Sequence, residues 1–257
     1  MKKRAVLSVS GGMDSTTLMI HMLNKGYNLR VLSFFYNQKH DIELSRLKNN
    51  ILYLKNKGFF IDHHTVDLSS VMSLYDSALI RGGVDIPEGH YSSENMKPTV
   101  VPNRNAIFSS IVYGMALSDV SRFNTHVDIA LGVHSGDREI YPDCRPEFFD
   151  SIERVFKMGN WKSENVSYYL PYVGVTKYEI LLDGKTCCDN LNLDFNTLYS
   201  NTITCYQPNS TGRSCGKCGS CVERIEAFSK MGIQDPIEYV NNWDVTQKHT
   251  TKILGEL

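Results

Sequence analysis

The run Arg4-Ala5-Val6-Leu7-Ser8-Val9-Ser10-Gly11-Gly12-Met13-Asp14-Ser15-Thr16-Thr17-Leu18-Met19 passes from an apolar, β-branched stretch through two glycines into a helix-forming stretch. It reads as strand, tight loop and helix. In an open parallel sheet, ligands lie beyond the carboxyl ends of the strands, and this strand delivers its loop to that edge. Gly11 and Gly12 let backbone N–H groups turn toward an anion at the helix N-terminus, while Ser10, Ser15 and Thr16 add hydroxyl donors. Ser8, just before the turn, and Met13, at the helix start, belong to the same candidate binding segment. The loop suits phosphate, but it lacks the Gly-Lys-Ser/Thr ending of a Walker loop and the third glycine of a dinucleotide fingerprint. Asp14 cannot attract phosphate by charge and is assigned to magnesium, capping or substrate positioning. The plainer alternative is an ordinary βα turn with an Asp/Ser cap.

Outward from this loop the pattern repeats. Leu29–Tyr36 predicts a second strand, Ile42–Lys57 a charged surface helix and Phe60–Val66 a third strand, so the β-α-β spacing implies parallel pairing. From Ser69 to Pro102 the chain turns rich in Ser, Gly and Pro, and is expected to wander irregularly near the active face. Asn103 is expected to cap a helix through Ile107, Ile111 and Met115. Val127–Leu131 predicts a further strand, followed by a helix from Pro146 to Met158 with proline at its start. Beyond Pro171 come a short helix near Thr176–Ile180, a cysteine-rich segment, and a final helix through Arg224, Ala227 and Phe228.

Composition narrows the function classes. The 257 residues are 42% hydrophobic, enough for a substantial core, and 27 Lys+Arg against 28 Asp+Glu leave a net charge of -1 with no global pull toward nucleic acid or anionic membrane. No apolar run approaches a membrane span. Seven cysteines without a secretion signal favour a cytoplasmic chain over a disulfide framework. Four of them, Cys205, Cys215, Cys218 and Cys221, are spaced C-x9-C-x2-C-x2-C with Gly216 and Gly219 between the last three. Such spacing lets thiolates converge on one cation, zinc above all, with an iron–sulfur cluster as the competitor. Cys144 and the Cys187-Cys188 pair lack metal spacing and are expected to be merely buried.

Taken with the loop and the cysteine knuckle, several stretches carry a resemblance: Tyr36-Asn37-Gln38-Lys39-His40 with Glu43, Val101-Pro102-Asn103-Arg104-Asn105, Tyr141 to Phe148, Thr176-Lys177 with Glu179, and Asp235-Pro236. In this order they resemble the 7-cyano-7-deazaguanine synthase family of the queuosine pathway, within the pyrophosphate-loop ATPases. The resemblance implies an α/β fold, a doubly wound parallel sheet of the adenine-nucleotide α-hydrolase type, with a small zinc-binding C-terminal region. Residues 1–184 would form the nucleotide-binding domain and 185–257 the knuckle and helical region. The chain departs from the family where Asn103 replaces the usual glycine, where Ile203 replaces a tryptophan, and in the charged loop from His134 to Glu139.

The activity the resemblance implies is a C–N ligase that adenylates 7-carboxy-7-deazaguanine, aminates it with ammonia, and adenylates the amide again to leave the nitrile, with ATP, Mg2+ and Zn2+ as cofactors. Asp14, Ser15, Lys177 and Arg104 are the expected catalytic residues. Asp137, Tyr141, Asp143 and Arg145 are expected on the deazapurine. His40 with Glu43 fits a helix-surface pair, and His134 a satisfied loop histidine; neither is assigned a catalytic proton. The expected partners are the small-molecule substrate and ammonia, without nucleic acid or membrane, and a homodimer is admissible. Three alternatives compete: a ligase stopping at the amide, a relative acting on a tRNA base or nucleotide, and a non-catalytic nucleotide sensor or protein-modifying factor.

Overall fold

The computed structural model describes residues 3–90, 94–136 and 140–255. Five parallel strands form one sheet in the order β3-β2-β1-β4-β5, built from β1 (Arg4–Ser8), β2 (Asn28–Phe35), β3 (Ile61–Asp67), β4 (Val127–Leu131) and β5 (Val166–Tyr168). The central β1 buries Ala5, Val6 and Leu7, as a strand covered on both faces must. The nine helices of the described residues are α1 (Met13–Asn24), α2 (Ile42–Asn56), α3 (Ser69–Met72), α4 (Arg104–Phe123), α5 (Pro146–Gly159), α6 (Lys177–Asn190), α7 (Phe195–Ser200), α8 (Gly219–Lys230) and α9 (Trp243–Gly255). Two cores follow from this layering. One gathers Val6, Val112, Ile129 and Val166 on one side of the sheet, and the other gathers Leu7, Leu18, Ile180 and Phe228 on the opposite side.

The order reverses at β1: β2 and β3 run out on one side, β4 and β5 on the other. The loops leaving β1 and β4 therefore part at their carboxyl ends and open a crevice there. Among the described residues no helix is long and apolar enough to cross a membrane.

Four expectations need correction. The helix through Arg224 is not the last, because α9 follows it, with Thr246 and Thr250 buried on an otherwise polar helix. The helix at Thr176 is not short: it runs fourteen residues. It starts from a capping box in which the Thr176 side chain takes the Glu179 N–H while the Glu179 carboxylate takes the Thr176 N–H. The buried Ile180, Leu181, Gly184, Cys187 and Cys188 then carry it along α1. Asn103 stands at the head of α4, but its side chain makes no capping hydrogen bond; its backbone is left-handed, at φ 59°. Glycine and asparagine are the residues that accept this conformation most readily, so asparagine here keeps a backbone turn that glycine would also make. Finally, β5 escaped the sequence reading because three residues show no period.

Residues 184 and 185 fall inside α6. Downstream of them Leu198, Tyr199 and Phe228 share a core with Leu7 and Leu18.

Candidate active site

A cavity of about 190 Å³ opens at the crevice. Its floor is the β1 loop, where Ser8, Ser10, Gly12, Asp14 and Ser15 line it; Gly11, Met13 and Thr16 do not. Gly11 has φ 105° and sits so close to the Glu43 carbonyl that a Cβ would overlap it. Gly12 occupies the N-cap of α1 without any side-chain cap, which rules out the Asp/Ser-capped turn. The N–H groups of the first helical turn have no intrahelical acceptor and present a site for an anion. Ser15 ties the loop together: its Oγ donates to Gly12 O at 3.3 Å and accepts from Ser10 N at 3.3 Å. Met13 and Thr16 are fully buried, and the Thr16 hydroxyl has no hydrogen-bond partner among the described residues.

One wall is backed by a charge cluster drawn from four segments, of which Asp14 and Lys177 line the cavity while His134 and Glu223 stand behind them. Lys177, the first residue of α6, places its Nζ 3.2 Å from Asp14 Oδ2 and 3.1 Å from Glu223 Oε2. His134, in the loop after β4, puts Nε2 3.8 Å from the same two oxygens. Its Nδ1 accepts the Gly136 N–H at 3.1 Å, which turns Nε2 toward the carboxylates. All four side chains are nearly buried. Burial works to raise the Asp14 pKa, but Lys177 and His134 outweigh it and hold the carboxyl below its ordinary range. Asp14 Oδ1 is buried without a hydrogen-bond partner among the described residues, which fits a cation arriving with the ligand. Gly132 permits this wall, since a side chain there would press on the Ser15 backbone.

The opposite wall is aromatic and buried. Phe34 stacks on Phe108 at 4.0 Å, and Arg104 lies 5.8 Å from the Tyr141 ring with its guanidinium also bonded to the Tyr36 hydroxyl. Burial opposes the Arg104 charge, but Tyr36, Tyr141 and Asp143 hold its pKa above the ordinary value. Tyr141 bonds Thr99 at 2.7 Å and reaches Tyr206 at 3.4 Å. Asp143 and Arg145 do not line the cavity: Asp143 accepts the Asn105 N–H at the head of α4, and Arg145 is an exposed N-cap of α5. Asp137, with Arg138 and Glu139, lies outside the described residues.

His40 and Glu43 are not a surface pair. Both are buried and line the cavity between the loop and the aromatic wall. Gln38 Nε2 donates to Glu43 Oε1 at 3.2 Å, the Ser10 side chain bonds the same carboxyl group, and His40 Nε2 lies 3.6 Å away. Burial pushes the Glu43 carboxyl up to about 8, and burial with the Arg104 charge pushes His40 down to about 3. Glu223 is the residue sequence reasoning missed, and Glu43, noted beside His40, was expected at the surface. The one signal was position: Glu223 follows Cys221 by two residues, and Glu43 stands three beyond His40.

The last wall comes from the cysteine segment, where Ile203, Thr204, Tyr206 and Ser220 face the cavity. Ile203 donates its N–H to Gly11 O at 3.1 Å, so this segment is bonded directly to the anion loop. The sulfurs of Cys205, Cys215, Cys218 and Cys221 all lie within 4.8 Å of one another, with Cys215 and Cys221 at 3.9 Å. A tetrahedral zinc with bonds near 2.3 Å needs sulfurs roughly 3.8 Å apart, so the donor set fits that ion. Backbone amides of Gln207 and Cys215 point at Cys205 Sγ, and those of Lys217 and Cys218 at Cys215 Sγ, as they do toward thiolates. The second cluster of metal-binding types, His21, Asp183 and Cys187, is a hydrogen-bonded tie between α1 and α6: both His21 nitrogens are engaged, by Asp183 and by Tyr169. Cys187, Cys188 and Cys144 are buried thiols, as expected.

Comparison with known proteins gives one family model, described as queuosine biosynthesis protein QueC, which matches residues 4–232. Among curated relatives, the 7-cyano-7-deazaguanine synthase of Marinomonas sp. (strain MWYL1) is 41% identical over 239 residues, covering 93% of this chain and 99% of that one. The synthase of that name from Caldicellulosiruptor saccharolyticus is 41% identical over 245 residues, covering 95% and 99%. Similarity to solved structures is weaker. NMN synthetase from Francisella tularensis is 14% identical at a TM-score of 0.44, with 98% of this chain and 87% of that one covered. A 4-thiouridine synthetase in complex with RNA and bound ATP is 17% identical at 0.46, with 97% and 53% covered.

Proposed function

From the chain's membership of the queuosine biosynthesis protein QueC family, we propose that it converts 7-carboxy-7-deazaguanine, ammonia and ATP to 7-cyano-7-deazaguanine, releasing AMP and pyrophosphate at each of two adenylations. Relatives carrying that name match nearly end to end, and this is the observation that carries the reading. The site supplies what the reaction demands. A carboxylate resists ammonia because its leaving group would be oxide; transfer of AMP to it makes the leaving group a phosphate ester.

In this reading the uncapped start of α1, with the hydroxyls of Ser10 and Ser15, holds the pyrophosphate as charge develops on it, a form of preorganised help worth roughly 3 kcal/mol per donor. Gly11, Met13 and Thr16 serve through the backbone and the shape of the loop, and Ser8 borders the nucleotide. Lys177 neutralises the phosphates and keeps Asp14 and Glu223 from repelling them. Magnesium, brought with ATP, would take Asp14 Oδ1 as a ligand and neutralise the leaving pyrophosphate. Arg104 and the rings of Tyr141 and Phe108 bind the flat base and its acid. Asp143 acts from behind, its carboxylate holding the head of α4, Arg145 stands at the N-cap of α5, and Asp137 keeps its assignment to the base. Zinc would be held by Cys205, Cys215, Cys218 and Cys221 and supplies structure to the Ile203–Tyr206 wall.

The test is a reaction of the purified chain with the acid, ammonium and ATP, followed by mass spectrometry. Two AMP per nitrile is the expected outcome. ADP as the nucleotide product overturns the adenylation, and one AMP per persisting amide in excess ATP makes the chain an amide-forming ligase.

A further inference from the structure

The ligase chemistry leaves one requirement without an assigned residue. At neutral pH ammonia is almost wholly ammonium, which has no lone pair with which to attack. A group beside the acyl-adenylate that takes a proton from ammonium would supply the nucleophile there. We propose that Glu43, with His40 and Gln38 around it, is the subsite that binds ammonium and removes this proton, so that free ammonia is released next to the activated carboxyl carbon.

The geometry carries this. Glu43 is the carboxyl group of the cavity not tied to Lys177, and it is bonded to Ser10 of the loop that holds the leaving end of ATP in the reading above. It therefore stands at the junction where the α-phosphate meets the acid. Its oxygens are oriented by Gln38, whose own amide oxygen takes the Tyr36 N–H at 2.8 Å and whose amide nitrogen also donates to Phe34 O at 3.1 Å. His40 Nδ1 is buried with no hydrogen-bond partner among the described residues, a second acceptor for an N–H donor. The His40 ring lies 5.5 Å from Tyr206 and 6.5 Å from Tyr36, and all three rings line the cavity beside Glu43. The charged groups around Glu43 are Arg104 from α4, Asp41 at the head of its own helix, and His40, which burial keeps neutral. A carboxyl group whose pKa stands near 8 is matched to ammonium as a proton acceptor, far better than an ordinary carboxylate.

The step balances. The Glu43 carboxylate takes one proton from ammonium; the freed lone pair forms the C–N bond as the C–O bond to AMP breaks, with AMP keeping the electron pair. The second proton on the nitrogen goes to solvent, and Glu43 returns its own proton to solvent before the next turnover.

This inference rests on the proposed ligase reading, and the test separates the two. Acid-dependent exchange of pyrophosphate into ATP reads adenylation without ammonia; amide and nitrile formation reads the nitrogen step. Glu43→Gln is expected to lower kcat/KM for ammonium roughly 100-fold while the exchange falls no more than about threefold. Hydroxylamine, uncharged at neutral pH, needs no proton removed before it attacks. In the variant it should still form the hydroxamate at close to the wild-type rate. In the wild type, kcat/KM for ammonium should level off above about pH 8, as free Glu43 titrates, while hydroxylamine shows no such limb. His40→Gln, which keeps a polar group in place, should raise KM for ammonium with little change in kcat. Equal losses with both nucleophiles, or no selective loss with ammonium, would overturn the subsite. A wild type without acid-dependent exchange would overturn the ligase reading, and the subsite would fall with it.

Discussion

Lys177 sits between two carboxylates that belong to helices far apart in sequence, and its removal leaves both buried without their cation. Breaking a buried ion pair from one side costs about 3 kcal/mol or more, so Lys177→Met should lower the melting temperature and abolish pyrophosphate exchange together. A variant that melts as the wild type does and still exchanges would show that the cluster is solvated in solution. Glu43 makes a different prediction, because its pKa rises on folding from an ordinary 4.5 to about 8. A carboxyl raised in the folded state gives stability that is full below its unfolded pKa and is lost as pH climbs through the folded one. Wild type should therefore lose stability relative to Glu43→Gln between pH 4.5 and 8, by about 1.4 kcal/mol per pH unit at the steepest. Denaturant melts of both proteins across that window check it, and parallel curves would mean that Glu43 is not buried. The glycine loop and the cysteine knuckle stood out in the sequence by their local spacing, and Lys177 by the family resemblance. Glu43 and Glu223 did not, because on an amphipathic helix a charged residue reads as solvated, and only the tertiary fold turns it inward.

At the scale of elements, α6 shows how a local signal is both read and misread. Thr176-Lys177-Tyr178-Glu179 announces its start, but its second half reads as part of the cysteine-rich segment that follows. Gly184 is there for a contact, since a Cβ would overlap the Tyr199 hydroxyl, which bonds Thr17 Oγ1 of α1 at 2.7 Å. Gly184→Ala should accordingly destabilise the protein by about 1–3 kcal/mol despite the better helix propensity of alanine. Tyr199→Phe removes the obstructing oxygen, so the double variant should regain part of that loss. Additive losses in the double-mutant cycle would place the strain elsewhere. Strands β1, β2 and β4 were legible as apolar runs and β3 by its β-α-β spacing, whereas β5 was too short to show a period. The helix α9 was not legible either, because its sequence, Trp243-Asp244-Val245-Thr246-Gln247-Lys248, buries threonines rather than an aliphatic stripe.

Across the whole molecule, the sheet order brings the β1 and β4 loops to one crevice, but the crevice becomes a cavity only when residues after 200 close it. That closure rests on two anchors. One is the cysteine cluster. The other is the Arg224–Asp235 pair, fully buried, bonded at 2.7 and 2.9 Å, and joined by Thr202, Thr204 and Tyr239. Both anchors end at the Ile203–Tyr206 wall, whose Ile203 N–H is bonded to the anion loop at Gly11. Zinc and ATP should therefore be linked: whatever holds the wall favours the nucleotide, and the nucleotide in turn holds the wall. The linkage is open to direct measurement. Elemental analysis should find about one zinc per chain, as a single tetrahedral site requires. Chelation should weaken ATP binding as well as lower the melting temperature. At ATP concentrations near 100 times its Kd, the nucleotide stabilises the zinc-loaded protein by about 2.7 kcal/mol. That increment should shrink in the chelated protein, and saturating ATP should slow zinc loss to a chromogenic chelator by the corresponding factor. Cys218→Ser should reproduce the chelated behaviour without any chelator. A chelated protein that melts lower yet binds ATP as tightly as before would separate the knuckle from the cavity, and would leave Arg224 and Asp235 as the sole support of the wall.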